Sequence, residues 1–239
     1  MAAHGTVGRL AGNHPEADTR LSGFRYLTFD CYGTLVDWRK GINAALGLAL
    51  GRGASAPRDL LAAYLEAEKE EERNYKKYRE VLRNAALRVS LKAGVEPDVR
   101  RAEAFAESVP SWPAFPDTKS ALAKLRARGY RVYILSNVDR DLLEGTIRNS
   151  ELEVDGYVTA EDTHSYKPAK EHWRTFMRRS GADRREILHV AQSIFHDILP
   201  TQEMGIASAW VNRYDEPLPP GAQPSYIADG LRALSRLLP

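Results

Sequence analysis

The residues best suited to do chemistry in this sequence begin with Asp30, which ends the apolar run FRYLTF. A carboxylate at such a place can act as a nucleophile or bind a metal ion. Gly33 permits a tight backbone turn, and Thr34 can donate a hydroxyl hydrogen bond to a carboxylate. The residue two positions after Asp30 is Tyr32, where a second acid would have favoured metal or phosphate chemistry.

Three more apolar runs end in polar side chains. Ser136 and Asn137 follow RVYILS, and two short hydrogen-bonding residues suit the binding of a carboxylate or phosphate. Lys167, in SYKPAK, would neutralise a nucleophile and an anionic substrate. Ser193 and Asp197 are four positions apart in AQSIFHD. Each residue alone could be a helix cap or a surface residue. Their recurrence in the order acid, hydroxyl, lysine, acid points to one site.

Alternating strands and helices must bring these residues together. Apolar runs predict strands over residues 24–29, 131–136, 156–160, 187–190 and 208–212, and helical patterns cover 117–129, 139–149 and 169–181. Such alternation predicts an α/β fold with a doubly wound, Rossmann-like parallel sheet that is covered on both faces. Ligands bind at the carboxyl ends of the strands in such sheets, where all four groups would lie.

One interval departs from this alternation of strands and helices. Residues 39–112 contain no convincing strand and are rich in Ala, Leu, Glu, Lys and Arg, so we expect a helical cap domain inserted after the first strand. The α/β core would then comprise residues 24–38 and 113–239. The charged stretch EAEKEEERNYKKYRE is interpreted as a solvated helix face with local ion pairs. Residues 1–23 are interpreted as a flexible leader.

Bulk composition excludes several classes of function. The formal net charge is only +2, which gives no reason to expect a nucleic-acid partner. No apolar run approaches the ~20 residues of a membrane-spanning helix. The single cysteine, Cys31, permits neither an intramolecular disulfide nor a cysteine-rich zinc site, and it is expected to be a small core residue. We therefore expect a cytoplasmic enzyme or binding domain.

The ordered constellation resembles the haloacid dehalogenase superfamily over nearly the whole chain from about residue 24. The segment FDCYGTLVD is similar to the first motif of that family, with Asp30 as the nucleophile. ILSN is similar to the second motif, Lys167 in YKP to the third, and QSIFHD to the fourth. The resemblance implies an α/β core with a cap inserted where the long helical interval occurs.

The phosphatases of this superfamily differ from this sequence at two positions. In their motifs an acid stands two residues after the nucleophile, and the fourth motif offers two acids four apart. Here those places hold Tyr32 and Ser193. Asp30 and Asp197 alone, with Lys167 nearby, would form a poor site for Mg²⁺, which prefers a dense set of oxygen ligands. We expect no metal and no cofactor, and a magnesium-dependent phosphatase is the less favoured alternative.

A tyrosine two residues after the nucleophile is the form seen in the 2-haloacid dehalogenase branch. That resemblance implies that Asp30 attacks C2 of a small 2-halo carboxylic acid, displaces halide and forms an ester that water hydrolyses to a 2-hydroxy acid. Tyr32 would belong to the catalytic set. Asp197 and Ser193 would hold Lys167 or the hydrolytic water. The remaining positioning groups would be Thr34, Ser136, Asn137 and Lys167.

Several positions depart from that branch. The resemblance implies a cap arginine that receives the halide, but LLAAYLEAEKE has none, and Arg73 and Arg79 come later. Trp173 replaces a tyrosine of the branch, and Ile194 replaces an asparagine.

The segments DCYGTLVDW, WPAFPDT and SYKP are more similar to a sub-branch that includes an azetidine-2-carboxylate hydrolase, which breaks a C–N bond. Such a reaction needs a proton donor or a cation-tolerant cleft, and His196 is a candidate donor, with a packing or capping role as the alternative.

Trp38 and Trp112 flank the two junctions between the expected cap and core. They are expected either to line the substrate pocket or to pack the hinges. A non-catalytic binding or scaffold protein is a further alternative. A homodimer is expected by analogy with the family alone.

Overall fold

Six parallel strands form the centre of the computed structural model, which describes residues 23–51 and 58–239. The strands are β1 (Tyr26–Phe29), β2 (Arg131–Ser136), β3 (Gly156–Thr159), β4 (Ile187–Ala191), β5 (Ala207–Val211) and β6 (Tyr226–Ala228). They are arranged in the order β3-β2-β1-β4-β5-β6, and every neighbouring pair is parallel. The predicted doubly wound sheet is confirmed. Strand β6 was not predicted, and the expected leader, apart from Gly23, lies outside the described residues.

Strand β1 occupies the middle of the sheet, and all four of its residues are buried. Phe29 is in register with Ile134 of β2 and Val190 of β4. Asp30, the next residue, therefore leaves the sheet at the centre of its carboxyl edge, between the two neighbouring strands. The reversal of strand order on either side of β1 opens a crevice there, which is the usual ligand site of such a sheet.

Four helices lie between β1 and β2, in the interval where a cap is expected. They are α1 (Trp38–Ala49), α2 (Arg58–Glu71), α3 (Tyr78–Lys92) and α4 (Val99–Glu107), and a short 3₁₀ turn (Val109–Ser111) leads back to the core. Their apolar faces pack on each other, as in the edge-to-face contact of the Tyr64 and Phe105 rings at 5.3 Å. The boundaries of a cap domain at residues 39–112 stay a prediction.

Six further α-helices lie in the described part of the chain after the 3₁₀ turn. They are α5 (Thr118–Ala127), α6 (Arg140–Asn149), α7 (Ala160–Thr163), α8 (Glu171–Ser180), α9 (Leu199–Met204) and α10 (Leu231–Leu237). The strongly amphipathic α8 buries Trp173 and Phe176 against the sheet. No helix in the described ranges is long and apolar enough to cross a membrane.

Core and cap are joined beside the predicted site. Asp139, which follows β2 and is almost fully buried, accepts hydrogen bonds from the backbone N–H groups of Tyr78 (2.8 Å) and Arg79 (3.0 Å). It thereby satisfies two donors that the first turn of α3 leaves without helical partners. Tyr166, one residue before Lys167, donates its hydroxyl to the carbonyl of Lys76 at 2.6 Å. The start of α3 is thus fixed to two segments at the carboxyl edge of the sheet.

Candidate active site

The Asp30 carboxylate is held from one side by its own turn. Its Oδ2 accepts a hydrogen bond from Thr34 Oγ1 at 2.8 Å, and that hydroxyl accepts one from the backbone N–H of Gln192 at 2.9 Å. Gly33 adopts φ +106°, a conformation that other residues rarely adopt, and a Cβ there would lie 3.0 Å from Trp38 Nε1. Thr34, expected to contact substrate, is fully buried and holds the Asp30 carboxylate.

Lys167 holds the other oxygen of the same carboxylate. Its ammonium donates to Asp30 Oδ1 (2.8 Å), Asp197 Oδ1 (2.8 Å) and the carbonyl of Leu135 (2.9 Å), which uses all three of its protons. Asn137 fixes the backbone of Lys167, because its Oδ1 accepts from the lysine N–H at 2.7 Å and its Nδ2 donates to the lysine carbonyl at 3.2 Å. Asn137 was expected to bind substrate, but both ends of its amide contact this segment.

Asp197 is fixed by a histidine that the sequence reasoning missed. His189 Nε2 lies 2.9 Å from Asp197 Oδ1, and its Nδ1 lies 2.9 Å from Thr28 Oγ1. The Trp173 ring packs edge-on against this imidazole at 5.2 Å. A histidine within the apolar run ILHV was the available signal, since a buried imidazole needs polar partners. Asp197 Oδ2 is buried without a hydrogen-bond partner.

Burial and the shared lysine determine the charges of this cluster. Burial acts to raise the pKa of Asp197, but Lys167 and the His189 hydrogen bond outweigh it and hold that pKa well below its usual range. Burial also raises the pKa of Asp30, and the nearby Lys167 charge opposes that change. For Lys167, burial lowers the pKa, but the two carboxylates raise it further than burial lowers it. These effects together favour a protonated Lys167 between two ionised carboxylates, Asp30 and Asp197.

Ser136 offers a free hydroxyl to the same space. Its Oγ is buried and has no hydrogen-bond partner among the described residues. The backbone carbonyl of Ser136 lies 3.0 Å from His172 Nε2, and burial lowers the pKa of that histidine to about 3, so it is neutral. A buried hydroxyl without a partner is unfavourable unless a ligand or water completes it.

Ser193 and His196 contact each other at the rim. Ser193 Oγ accepts a hydrogen bond from the His196 backbone N–H at 3.1 Å, and it lies 3.1 Å from His196 Nδ1. Burial lowers the pKa of His196, which favours a neutral ring. The sequence left open a capping role for His196. In the structure it is Ser193 that caps this turn. Both side chains also face the cleft.

These groups converge on a cleft of about 340 Å³ between core and cap. Eleven residues were predicted for this site, and eight of the ten that line the cleft are Asp30, Tyr32, Trp38, Trp112, Ser136, Ser193, His196 and Asp197. Asn137 and Lys167 line it as well, and Thr34 does not. The predicted carboxyl-edge residues are thus brought together.

Tyr32 serves as a wall of this cleft. Its hydroxyl lies 2.8 Å from Thr146 Oγ1, and its ring packs edge-on against Trp112 at 5.8 Å. Burial raises the pKa of its phenol well above the usual value, so it does not ionise near neutral pH. The expected catalytic role for Tyr32 finds no hydrogen bond to Asp30 in the described part of the chain. Cys31, on the other face, is buried and free.

The cap side of the cleft carries two acids, Glu68 and Glu72. Glu68 Oε1 accepts hydrogen bonds from Tyr64 (3.0 Å) and Tyr78 (2.7 Å). The charged stretch was expected to be a solvated helix face, and that is wrong for these two residues. The end of α2 turns towards the core there, so one side of the stretch faces the cleft while Glu66 stays exposed.

The arginines provide little that could receive a halide. Arg79 is bound to Asp139 and Asp141 at the base of the cap. Arg73 lines an outer groove rather than the cleft around Asp30. The arginine that lines the cleft is Arg39, whose guanidinium donates to Glu216 at 2.9 Å and stacks over the Tyr214 ring at 3.5 Å.

The residues present do not fit a divalent metal ion. The described ranges contain no cluster of three or more His, Cys, Asp or Glu side chains arranged to hold one. The Lys167 ammonium lies between the two carboxylates that could serve as hard ligands. This arrangement can present Asp30 as an ionised, aligned nucleophile to a small anionic substrate. Such a substrate would accept a hydrogen bond from the Ser136 hydroxyl.

Comparison with known proteins gives one family. Residues 24–205 match the family model described as haloacid dehalogenase-like hydrolase. The chain is 25% identical to an (S)-2-haloacid dehalogenase of Pseudomonas putida over 237 residues, which covers 91% of this chain and 98% of the relative. It is 27% identical to haloacetate dehalogenase H-2 of a Moraxella species, covering 79% and 85% of the two chains.

A solved structure supports the same fold. The L-2-haloacid dehalogenase of Xanthobacter autotrophicus, solved with chloropropionic acid covalently bound, superposes with a TM-score of 0.79 at 22% identity. The superposition covers 90% of this chain and 98% of that one. At this level of identity the likeness establishes the fold of this chain.

Proposed function

Because this chain belongs to the haloacid dehalogenase-like hydrolases, we propose that it displaces a substituent from C2 of a small carboxylic acid without a metal ion. The reaction is of the 2-haloacid dehalogenase type and passes through an ester of Asp30. The observation that carries the proposal is the single Lys167 ammonium shared by Asp30 and Asp197 at 2.8 Å each. It keeps the nucleophile ionised and occupies the place that a metal ion would need.

Displacement at carbon requires a nucleophile that is aligned and poorly hydrated. Asp30 is 8% exposed, and Thr34 and Lys167 each hold one of its oxygens, so its orientation is fixed before substrate binds. Its open face meets the cleft. The substrate carboxylate would accept a hydrogen bond from Ser136, which places C2 beside Asp30 and the leaving group towards the cap.

Hydrolysis of the ester would follow at the carbonyl carbon of Asp30. Lys167 stays beside that carbonyl and stabilises the oxyanion that forms there. Asp197 has one buried oxygen without a partner, and this oxygen can accept a hydrogen bond from the attacking water and orient it. His189 holds Asp197 in that orientation.

Two leaving groups are compatible with this chemistry. Halide is favoured by the names of the relatives, which are dehalogenases. A ring nitrogen, as in azetidine-2-carboxylate, is favoured by a specific observation, namely that two acids line the cap side while the guanidinium of Arg39 there is paired with Glu216.

A substrate panel tests the proposal. Wild-type enzyme and Asp30→Asn are assayed with 2-chloropropionate, azetidine-2-carboxylate and p-nitrophenyl phosphate, with and without Mg²⁺. We expect metal-independent turnover of at least one 2-substituted acid and its loss in Asp30→Asn. Magnesium-dependent release of phosphate would overturn the proposal in favour of a phosphatase. Absence of turnover with every substrate would favour a binding or scaffold role.

A further inference from the structure

Glu68 and Glu72, here called the cap acid pair, lie on the side of the cleft where the leaving group would depart. Both line the same space as Asp30, Ser136 and Lys167. They come from the end of α2 and the turn after it, one helical turn apart, so their side chains share a face. The pair is thus part of the site and not of the solvated surface.

The two acids have different surroundings. Burial raises the pKa of Glu68, and the hydrogen bonds that it accepts from the hydroxyls of Tyr78 and Tyr64 oppose that rise and favour its ionised form. The Glu72 carboxyl makes none of the side-chain hydrogen bonds or ion pairs found among the described residues, so no direct contact there stabilises its charge. Two carboxyl groups one helical turn apart in the same cleft disfavour a state in which both are ionised, and the contacts assign the proton to Glu72.

The charge of the cleft is unusual for an enzyme that would bind two anions. Four carboxyl groups line it (Asp30, Glu68, Glu72, Asp197) against two basic side chains (Lys167, Arg39). Lys167 has no proton left to donate, and Arg39 is paired with Glu216. A departing halide would meet the acids of the cap. A positively charged group would be attracted there.

Ser136 indicates independently that a ligand enters this space. Its hydroxyl is 1% exposed, has no partner among the described residues and lines the cleft. It lies on the core side and the cap acid pair lies on the cap side. A ligand that accepts a hydrogen bond from Ser136 and pairs with the cap acid pair would have a hydrogen-bond acceptor at one end and a cation at the other.

We infer that the cap acid pair is a leaving-group subsite for a basic nitrogen, with Glu68 as the anion that binds it and Glu72 as the acid that protonates it. The substrate class is a small, strained cyclic amino acid whose ring nitrogen is attached to C2. This inference rests on the proposed function, because Asp30 supplies the nucleophile.

The step balances without an additional reactant. An Asp30 oxygen bonds to C2 as the C2–N bond breaks, and the electron pair of that bond goes to nitrogen. The ring nitrogen enters as an ammonium held by Glu68 and leaves as a neutral primary amine, which takes the proton of Glu72 and becomes an ammonium again. Water then adds its hydroxyl to the Asp30 carbonyl carbon, the proton of that hydroxyl passes to the alkoxide oxygen of the product, and the second proton of the water returns to Glu72. The sum is the addition of one water molecule across a C–N bond, with relief of ring strain.

The titration behaviour of the pair agrees with these roles. Burial and, to a smaller extent, the Glu68 charge raise the pKa of Glu72 to about 8, and Lys167 opposes them. Glu72 is therefore protonated at neutral pH and can act as a general acid, whose efficiency is greatest when its pKa lies near the working pH.

Binding tests the cation subsite apart from turnover. The probes are azetidine-2-carboxylate and cyclobutanecarboxylate, which has the same ring size without nitrogen, measured by calorimetry on Asp30→Asn. We expect the amine to bind about 10-fold or more tightly, a difference of about 1.4 kcal/mol. Adding Glu68→Gln should abolish that preference, and adding Glu66→Gln should retain it, because Glu66 is an exposed acid of the same helix. Equal binding of the two probes would overturn the subsite.

Turnover tests the proton donor. Glu72→Gln should lower kcat for azetidine-2-carboxylate about 100-fold with little change in KM, while Glu66→Gln should change neither. Thermal unfolding of both variants excludes misfolding as the cause. If Asp30 is labelled from ¹⁸O water with 2-chloropropionate but not with the cyclic amine, the proposed function stands and this inference fails. If Asp30 is labelled with neither, the proposed function fails, and the binding comparison still decides the subsite.

Discussion

The ammonium nitrogen of Lys167 lies 2.8 Å from Oδ1 of Asp30, although the two residues are 137 positions apart in the chain. The contact is buried on both sides, since Lys167 is 2% exposed. A salt bridge in such surroundings contributes less to net stability than its short distance indicates, because both charges lose hydration. Its effect is to oppose the rise in the pKa of Asp30 that burial causes.

Removing the lysine charge should therefore harm both stability and activity. Lys167→Met leaves Asp30 and Asp197 buried without a counter-ion, which we expect to cost about 3–5 kcal/mol in the free energy of unfolding, measured in urea. kcat should fall at least about 1000-fold, since the nucleophile protonates and the ester oxyanion loses its cation. Lys170→Met, which breaks a more exposed pair with Glu203, should change stability by less than about 0.5 kcal/mol. Equal losses in both variants would contradict this assignment.

The acid limb of the pH profile should report Asp30. Burial raises its pKa, so the ionised fraction, and with it kcat/KM, should fall at a higher pH than for an ordinary aspartate. The charged groups facing it are Lys167 and Asp197, and the Thr34 hydroxyl favours the ionised form.

Thr34→Val removes that hydroxyl and should move the midpoint of the acid limb to higher pH, with little effect on the plateau rate. The measurement is kcat/KM between pH 4 and pH 8. A midpoint that moves to lower pH would show that the Thr34 hydrogen bond does not stabilise the carboxylate.

Metal chelation should leave the reaction unaffected. Lys167 occupies the space between the two core carboxylates, and a divalent cation there would be repelled. We expect kcat/KM for the 2-substituted acid to be unchanged within error after dialysis against EDTA and after addition of Mg²⁺. Loss of activity with EDTA and recovery with Mg²⁺ would refute the metal-independent mechanism.

Asp139 should be important for the cap although it is remote from the chemistry. Its side chain accepts two backbone hydrogen bonds at the start of α3, so Asp139→Ala leaves both donors unsatisfied and should destabilise the protein by about 1–3 kcal/mol in urea unfolding. Asp141→Asn is the matched control, because Asp141 also binds Arg79 but is exposed, and its backbone contact is to Leu142 of its own helix rather than to the start of α3. Similar effects of the two substitutions would assign the role to Arg79 pairing rather than to capping.

The comparison of sequence with structure has a physical explanation. Asp30, Ser136, Lys167 and Asp197 could be predicted together because the carboxyl ends of parallel strands meet at one edge. His189 was missed because a polar residue within an apolar run gives no indication of its partner. Strand β6 was missed because three residues are too few to show a pattern.

The cap acid pair could not be predicted for a different reason. Glu68 and Glu72 stand among other charged residues, and their composition gives no indication of which helix face turns towards the core. That orientation is set by the packing of α2 on α3 and by the tyrosines that meet Glu68. Local periodicity distinguishes polar from apolar faces, but it does not distinguish a polar face in solvent from one in a cleft.

The most direct measurement of the central claim is the fate of solvent oxygen in a single turnover. Enzyme in excess over 2-chloropropionate or azetidine-2-carboxylate is allowed to react once in ¹⁸O water, and the peptide containing Asp30 is examined by mass spectrometry. The ester mechanism predicts one ¹⁸O in the Asp30 carboxyl group and an unlabelled hydroxyl in the product. A labelled product with an unlabelled Asp30 would contradict it, because water would then have attacked the substrate carbon directly.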